Sequence, residues 1–146
     1  MHPSFRRVAG FTLIELMVVV ALVAIASAGV VFSLRDGGQA QLGREADRLV
    51  ALLESARAQS RASGVPVRWR AVPGGFAFDG LPPGTLPDRW LQPGTTAVGP
   101  AVLLLGPEPL IGRQEVALVT ADGPGRVLRI ATDGLRPFTV QPAGAP

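Results

Sequence analysis

The most constraining feature of the sequence is a long apolar stretch near its N-terminus. From Val8 to Leu34 the only charged residue is Glu15, and no proline interrupts the run. As an α-helix this stretch would extend about 40 Å, which exceeds the ~30 Å hydrocarbon core of a bilayer. Two arginines precede it, so the positive-inside rule places the N-terminus in the cytoplasm and the C-terminal part of the chain across the membrane. We therefore expect one membrane-spanning helix over residues 11–34.

Glu15 is the unexpected residue of this stretch. A carboxylate within a spanning segment costs about 3 kcal/mol on insertion scales, so a plain membrane anchor would leave it unexplained. A secretory signal peptide is a second interpretation, because Ala26-Ser27-Ala28 has the small-residue pattern of a cleavage site and would give a mature chain beginning at Gly29. The apolar run is longer than such peptides carry, and Glu15 would lie inside it.

Composition excludes several kinds of reactive site. The chain has no cysteine, and its single histidine, His2, lies in the short stub before the apolar run. Disulfides, thiolate nucleophiles and cysteine-based zinc sites are therefore excluded, and a histidine-dependent catalytic triad is not expected. The 14 basic residues are opposed by 11 acidic ones that interleave with them, which argues against nucleic-acid binding. We predict no catalytic residue, no metal and no cofactor.

The residues Gly10-Phe11-Thr12-Leu13-Ile14-Glu15 carry a specific resemblance. They follow a short basic leader and begin an apolar helix, as does the class III signal of type IV pilins and of the pseudopilins of type II secretion. The resemblance implies that a membrane-embedded prepilin peptidase cuts after Gly10, removing residues 1–10, and methylates the new N-terminal Phe11. It also implies that Glu15 meets the N-terminal amine of a neighbouring subunit during assembly.

A second helical segment is predicted for residues 39–63. Arg35-Asp36-Gly37-Gly38 ends the apolar run and marks the expected exit from the membrane, with a kink or a loosened turn at the glycine pair. Gly64 is a candidate C-cap. The apolar stripe comprises Leu42, Ala46, Leu49, Val50, Leu53 and Ala56, and the charged face, which we expect to be solvated, comprises Arg44, Glu45, Asp47, Arg48, Glu54 and Arg57. Three i,i+3 ion pairs are expected on that face: Arg44/Asp47, Glu45/Arg48 and Glu54/Arg57.

Beyond Gly64 the hydrophobic period changes from helical to alternating, which predicts β-structure over residues 65–142. Residues 80–112 are rich in proline and glycine, so we expect them to be mostly irregular. The strands are predicted at residues 65–72, 76–78, 97–98, 102–105, 115–120, 126–132 and 137–141. Together these patterns predict an α+β fold, in which a long N-terminal helix packs through its second half on a C-terminal antiparallel β-sheet, and the resemblance implies that this fold is pilin-like. The second half of the helix and the β-region are expected to form one globular domain over residues 35–146.

Three local features have alternative interpretations. Asp-Gly pairs at Asp36, Asp79, Asp122 and Asp133 lack the spacing of a calcium loop and are explained by turn chemistry. Trp69 alternates with arginines in a predicted strand, which indicates a core residue. Trp90 lies in the proline- and glycine-rich region and is a candidate partner contact.

The segments from Glu45 to Arg57, Gly64 to Val67 and Ile130 to Val140 resemble the minor pseudopilin H (GspH) family of type II secretion. That resemblance implies a non-enzymatic subunit at the tip of a periplasmic pseudopilus, anchored in the bacterial inner membrane. The implied partners are other minor pseudopilins, the major pseudopilin, the prepilin peptidase and secreted cargo, with no nucleic acid. A minor pilin of a type IV pilus or DNA-uptake apparatus is the alternative, because such pilins share this domain.

Overall fold

A computed structural model describes the backbone of residues 12–100, 102–121 and 127–142, and the side chains of these residues except 28–36 and 142. Within these ranges there is one α-helix, α1, which runs without a break over Leu13–Ser63. It continues through Gly37 and Gly38, so the loosened turn that the sequence predicted as an alternative to a kink is not formed. The chain divides into two compact units at the boundary between Asp36 and Gly37.

α1 ends where its sequence predicts. Gly64 has φ of 70°, a left-handed conformation in which glycine is unstrained, and its N–H donates to the carbonyl of Ser60 at 2.9 Å. The Ser60 hydroxyl donates to the carbonyl of Val65 at 2.6 Å, which directs the chain from the helix toward the first strand. The predicted C-cap is confirmed.

Seven strands of the described residues form two antiparallel sheets. The first sheet has the order β2-β1-β4, and the second has the order β3-β5-β6-β7. The strands are β1 (Arg68–Val72), β2 (Gly75–Asp79), β3 (Thr95–Val98), β4 (Val102–Leu104), β5 (Gln114–Thr120), β6 (Val127–Thr132) and β7 (Thr139–Pro142). All seven lie at or within a few residues of the predicted positions, and the predicted pairing of β5 with β6 is confirmed. The turn between those two strands lies outside the described residues.

The core forms where the second half of α1 meets both sheets. Leu42, Ala46, Leu49, Leu53 and Ala56 are buried on the helix, and Val50 is half-buried beside them, so the predicted apolar stripe is confirmed. Complete burial of a side chain such as leucine contributes about 1.5–3 kcal/mol. The sheets contribute buried side chains from both layers, among them Trp69, Phe76, Leu103, Val116, Leu118 and Ile130. The α+β, pilin-like fold class is confirmed.

Two charged residues depart from the predicted solvated face. Glu45 is only 2% exposed and Arg57 only 3% exposed, so the prediction that both face solvent is wrong. Loops from the β-region cover the two flanks of the helix and supply the backbone groups that these side chains bind. The helix sequence alone carries no signal for that cover.

Candidate functional site

Thr12 directly precedes the first residue of α1. Its hydroxyl oxygen accepts the backbone N–H of Glu15 at 3.3 Å, and its carbonyl accepts the N–H of Leu16 at 3.2 Å. Thr12 is therefore the N-cap residue, and one of the helix's otherwise unpaired N–H groups is satisfied by its side chain. Gly10 and Phe11, the predicted cleavage and methylation residues, lie outside the described residues.

Glu15 lies in the first turn of the helix. A carboxylate there interacts favourably with the partial positive charge of the helix N-terminus. The predicted cleavage would leave Phe11 directly before the N-cap, so the new amine would belong to the residue adjoining the capped turn. Our sequence reasoning missed the role of Thr12, although Thr-x-x-Glu before an apolar run is the sequence pattern of a capping box.

The residues on both sides of Glu15 present large apolar side chains around the helix. These side chains are 44–77% exposed, and they are Leu13, Ile14, Leu16, Met17, Val18, Val19, Val20, Leu22, Val23 and Ile25. A helix that is apolar on all sides is typical of segments surrounded by lipid or by other protein. Within the described residues, no helix meets the combined requirements of length and apolarity for crossing a membrane. The predicted span of residues 11–34 includes residues whose side chains are not described, and it stays a prediction.

Two pairs of charged side chains on α1 bind backbone groups of loops, and we call each pair a charged clamp. The first clamp, Glu45 with Arg48, joins α1 to the loop before β3. One carboxylate oxygen of Glu45 accepts the backbone N–H groups of Leu91 at 2.9 Å and Gln92 at 3.2 Å. The other accepts the Arg48 guanidinium at 2.9 Å, which confirms the predicted Glu45/Arg48 pair. Arg48 also donates to the carbonyl of Arg89 at 3.1 Å. Residues 89–92 are thus held against the helix by both members of one ion pair.

The second clamp joins the end of α1 to two further loops. The buried guanidinium of Arg57 donates to the carbonyls of Pro109 at 3.3 Å, Gly134 at 3.1 Å and Arg136 at 3.4 Å. Glu54, whose carboxylate lies 3.9 Å from Arg57, accepts the N–H of Phe138 at 2.9 Å. The predicted Glu54/Arg57 pair is confirmed, and it fastens the loops that precede β5 and β7.

The two tryptophans occupy different environments. Trp69 is fully buried in the core, as its alternating strand predicts. Trp90 is half-buried, and its ring meets that of Phe76 edge-on with centroids 4.6 Å apart. Trp90 thus anchors the loop held by Glu45, while its neighbour Leu91 is 64% exposed. A partner contact at Trp90 stays a prediction.

Asp133 forms the turn between β6 and β7. Its Oδ1 accepts the N–H groups of Leu135 at 2.9 Å and Arg136 at 2.8 Å, which confirms turn chemistry at this Asp-Gly pair. The same two bonds lower the pKa of the Asp133 carboxyl, and the bond from Arg136 has the larger effect. In the part of the chain that the structure describes, no group of three histidine, aspartate or glutamate side chains is placed to hold a metal ion.

Comparison with known families identifies one match. Residues 5–31 match the prokaryotic N-terminal methylation motif, a stretch that contains Gly10, Phe11, Thr12 and Glu15. Neither the curated proteins nor the solved structures give a match. The chain therefore carries the N-terminal signal of type IV pilin-like prepilins, a class of structural proteins that are generally not enzymes. The motif implies anchoring in the inner membrane, processing by prepilin peptidase and assembly with other pilins.

Proposed function

We propose that the protein is a minor pseudopilin, a structural subunit at the tip of the type II secretion pseudopilus that supports export of folded proteins. In this proposal residues 1–10 are a leader removed after Gly10, and Phe11 carries the N-methyl group. Residues 11–34 span the inner membrane with the N-terminus in the cytoplasm. The rest of the chain, residues 35–146, lies in the periplasm, and the subunit has no enzymatic activity.

The observation that carries the proposal is the difference in exposure between the two halves of α1. The methylation motif leads into a helical stretch that exposes apolar side chains on all sides, whereas the second half of the helix is packed against two sheets. Exposed apolar surface costs free energy in water in proportion to its area. A subunit with such a helix is therefore stable in lipid or among other helices of the same kind, the two environments that a pseudopilin occupies in turn.

Glu15 supplies the assembly specificity in this proposal. An ionised carboxylate in apolar surroundings is costly alone and attracts an ammonium strongly when the two are paired. The methylated amine of Phe11 on a neighbouring subunit is the proposed partner. Because the attraction is lost when the groups are out of register, the pair would select one axial position of a subunit against its neighbour.

The assignment to the H-type minor pseudopilins rests on the resemblance of residues 45–57, 64–67 and 130–140. The absence of cysteine also supports it, since many pilins of type IV pili carry a C-terminal disulfide. A minor pilin of a type IV pilus or DNA-uptake apparatus remains the second candidate. Partners in the proposal are other minor pseudopilins, the major pseudopilin and secreted cargo, with contact through Trp90 or its loop.

Deletion of the gene distinguishes the two candidates. The proposal predicts loss of exoprotein secretion with intact twitching motility and transformation, restored by the wild-type gene. Loss of twitching or transformation with normal secretion would favour the pilus. Complementation with Glu15→Leu should fail to restore secretion, whereas Ser27→Leu is a matched control. It removes a hydroxyl that, within the described residues, bonds to the carbonyl of Val23 in the same apolar helix and to no other group, so it should restore secretion.

A further inference from the structure

The second sheet has an outward face that no part of the described chain covers. Along β5 and β6, Glu115 and Arg129 alternate with the buried Val116 and Ile130, so their side chains lie on the face opposite the core. A cavity of about 310 Å³ opens on this face. We call it the arginine groove, and its charged and polar lining includes Arg113, Glu115, Arg129, Asp133, Arg136 and Gln141.

A second cavity of about 320 Å³ adjoins the arginine groove, because both are lined by Arg113, Gln114 and Glu115. We call it the apolar pocket, since the rest of its lining is Pro100, Val102 and Leu103. Val102 is 46% exposed although it lies in a strand. Each cavity has the volume of a small binding site, and the shared lining places the cationic and the apolar cavity side by side.

Gln114 belongs to the lining that the two cavities share. Its amide oxygen accepts the backbone N–H of Leu104 at 2.6 Å, and its amide nitrogen donates to the Leu104 carbonyl at 2.9 Å. The side chain thus pairs with the edge of β4 as a neighbouring strand would, and it ties the first sheet to the start of β5. These bonds hold the backbone of the segment that lines both cavities, so that part of the site needs little reordering to bind a ligand.

The charges of the arginine groove favour an anionic ligand. Three guanidiniums face two carboxylates, and one of these, Asp133, already uses Oδ1 to accept two backbone N–H groups. The ion pairs within the groove are long, at 3.8 Å for Arg129 with Glu115 and 3.9 Å for Arg136 with Asp133. Arg113 forms no ion pair within the described residues. Arginine donors are therefore available for charge-assisted bonds to a carboxylate.

We propose that the arginine groove and the apolar pocket together bind an extended acidic peptide segment of a partner protein, with carboxylates in the groove and an apolar side chain in the pocket. An extended chain advances about 3.3 Å per residue, so side chains on one side recur every ~7 Å and can reach both cavities. The apolar pocket favours a peptide over a phosphate ligand, which has no group to fill it. The proposal does not depend on which secretion or pilus system contains the protein.

The test measures peptide binding to the full-length chain in dodecyl maltoside micelles by fluorescence anisotropy, with empty micelles as the blank. The probe is a labelled peptide of repeating Asp-Ser-Leu-Ser, in which aspartate and leucine share one side of an extended chain, and it is compared with repeating Asn-Ser-Leu-Ser. We expect the acidic peptide to bind at least about tenfold more tightly, and its advantage to fall as salt is added. Equal binding of the two peptides would overturn the proposal.

Variants locate the binding site. Arg113→Glu should weaken binding of the acidic peptide by about tenfold, and Arg113→Gln by a smaller factor, because the first reverses the charge and the second only removes it. Arg61→Glu is the matched control on an exposed arginine of the last helical turn, and it should change the affinity by less than about twofold. Circular dichroism confirms that each variant is folded. An equal loss in Arg61→Glu would show that binding follows overall charge and would contradict the site.

Two further probes test the nature of the ligand. Polyaspartate should bind less tightly than the aspartate–leucine peptide, and Val102→Asp should remove that difference by placing a charge in the apolar pocket. Polyaspartate binding as tightly as the mixed peptide would refute the two-part site. Tighter binding of a short DNA duplex than of the peptide would also refute the proposal, since it would indicate recognition of phosphates.

Discussion

Glu45 and Glu54 lie nine residues apart on α1, and each accepts a backbone N–H from a different loop at 2.9 Å. Each is followed three residues later by an arginine, Arg48 or Arg57, that donates to loop carbonyls. At about 100° per residue, nine residues turn the helix through two and a half turns, so the two pairs flank the buried stripe on opposite sides. The β-region is fastened to the helix along both flanks by the same Glu-x-x-Arg arrangement.

Glu45→Gln should lower the free energy of unfolding by about 1–3 kcal/mol. The substitution keeps the shape but removes the charge that strengthens the bonds from Leu91, Gln92 and Arg48. Chemical denaturation of the full-length chain, followed by tryptophan fluorescence, measures the change. Asp47→Asn, at an exposed position two residues away, is the control and should change stability by less than about 0.5 kcal/mol. Equal effects of the two variants would contradict the clamp.

Arg57→Lys tests whether the second clamp depends on the shape of the guanidinium. Lysine keeps the charge but lacks the planar fork that reaches the carbonyls of Pro109, Gly134 and Arg136. We expect a loss of about 1–3 kcal/mol in stability. Exchange of the Ile111 amide hydrogen, which bonds to the Gly134 carbonyl, should also accelerate. Arg61→Lys is the matched control, and an unchanged exchange rate at Ile111 in Arg57→Lys would argue against the clamp.

Gly134→Ala tests how closely the two loops held by Arg57 approach each other. Gly134 has φ of 93°, and a Cβ there would collide with the carbonyl oxygen of Ile111. Gly84 has φ of 76°, but a Cβ added to it would have no neighbouring atom within 4 Å, so Gly84→Ala carries only backbone strain of about 1 kcal/mol. Gly134→Ala should cost on the order of 3 kcal/mol in thermal or chemical unfolding. Equal costs would show that the loops can separate freely.

Asp133 should titrate below the ordinary carboxyl range. Backbone N–H groups of Arg136 and Leu135 lower its pKa from the usual 3.8. A carboxyl whose pKa is lower in the folded state stabilises the fold above the pKa of the unfolded state, and that contribution is lost as the pH falls through the lower, folded-state pKa. Nuclear magnetic resonance titration of the Asp133 side chain should give a midpoint below 3.8, and a midpoint above that value would contradict the turn geometry.

The sequence was sufficient to predict the elements of the fold because local signals specify them. The apolar stripe of α1 and the cap at Gly64 depend on spacing and on one backbone conformation, and both are confirmed. The strand positions follow from alternation, as at Trp69. The N-cap at Thr12 could also have been predicted from the sequence, because the capping-box pattern of Thr12 and Glu15 is local.

What the sequence could not provide were contacts between distant segments. Glu45 and Arg57 have the charge of solvated residues, and their burial depends on loops 46 and 77 residues away along the chain. The pairing of Gln114 with Leu104 likewise joins two sheets whose separation was not predicted. The backbone groups of irregular loops leave no periodic pattern in the sequence. A charged side chain that binds them therefore cannot be distinguished from a solvent-exposed one until the fold is known.

The N-terminus of the protein isolated from cells that contain prepilin peptidase tests the central claim most directly. Intact-mass and N-terminal analysis should find a chain that begins at Phe11, with residues 1–10 absent and one added methyl group of about 14 Da. Replacement of Gly10 by a bulky residue should leave the precursor uncut, because the backbone could no longer enter the protease in a side-chain-free form. A mature chain that begins at Gly29, or one that retains its first ten residues in functioning complexes, would contradict the account.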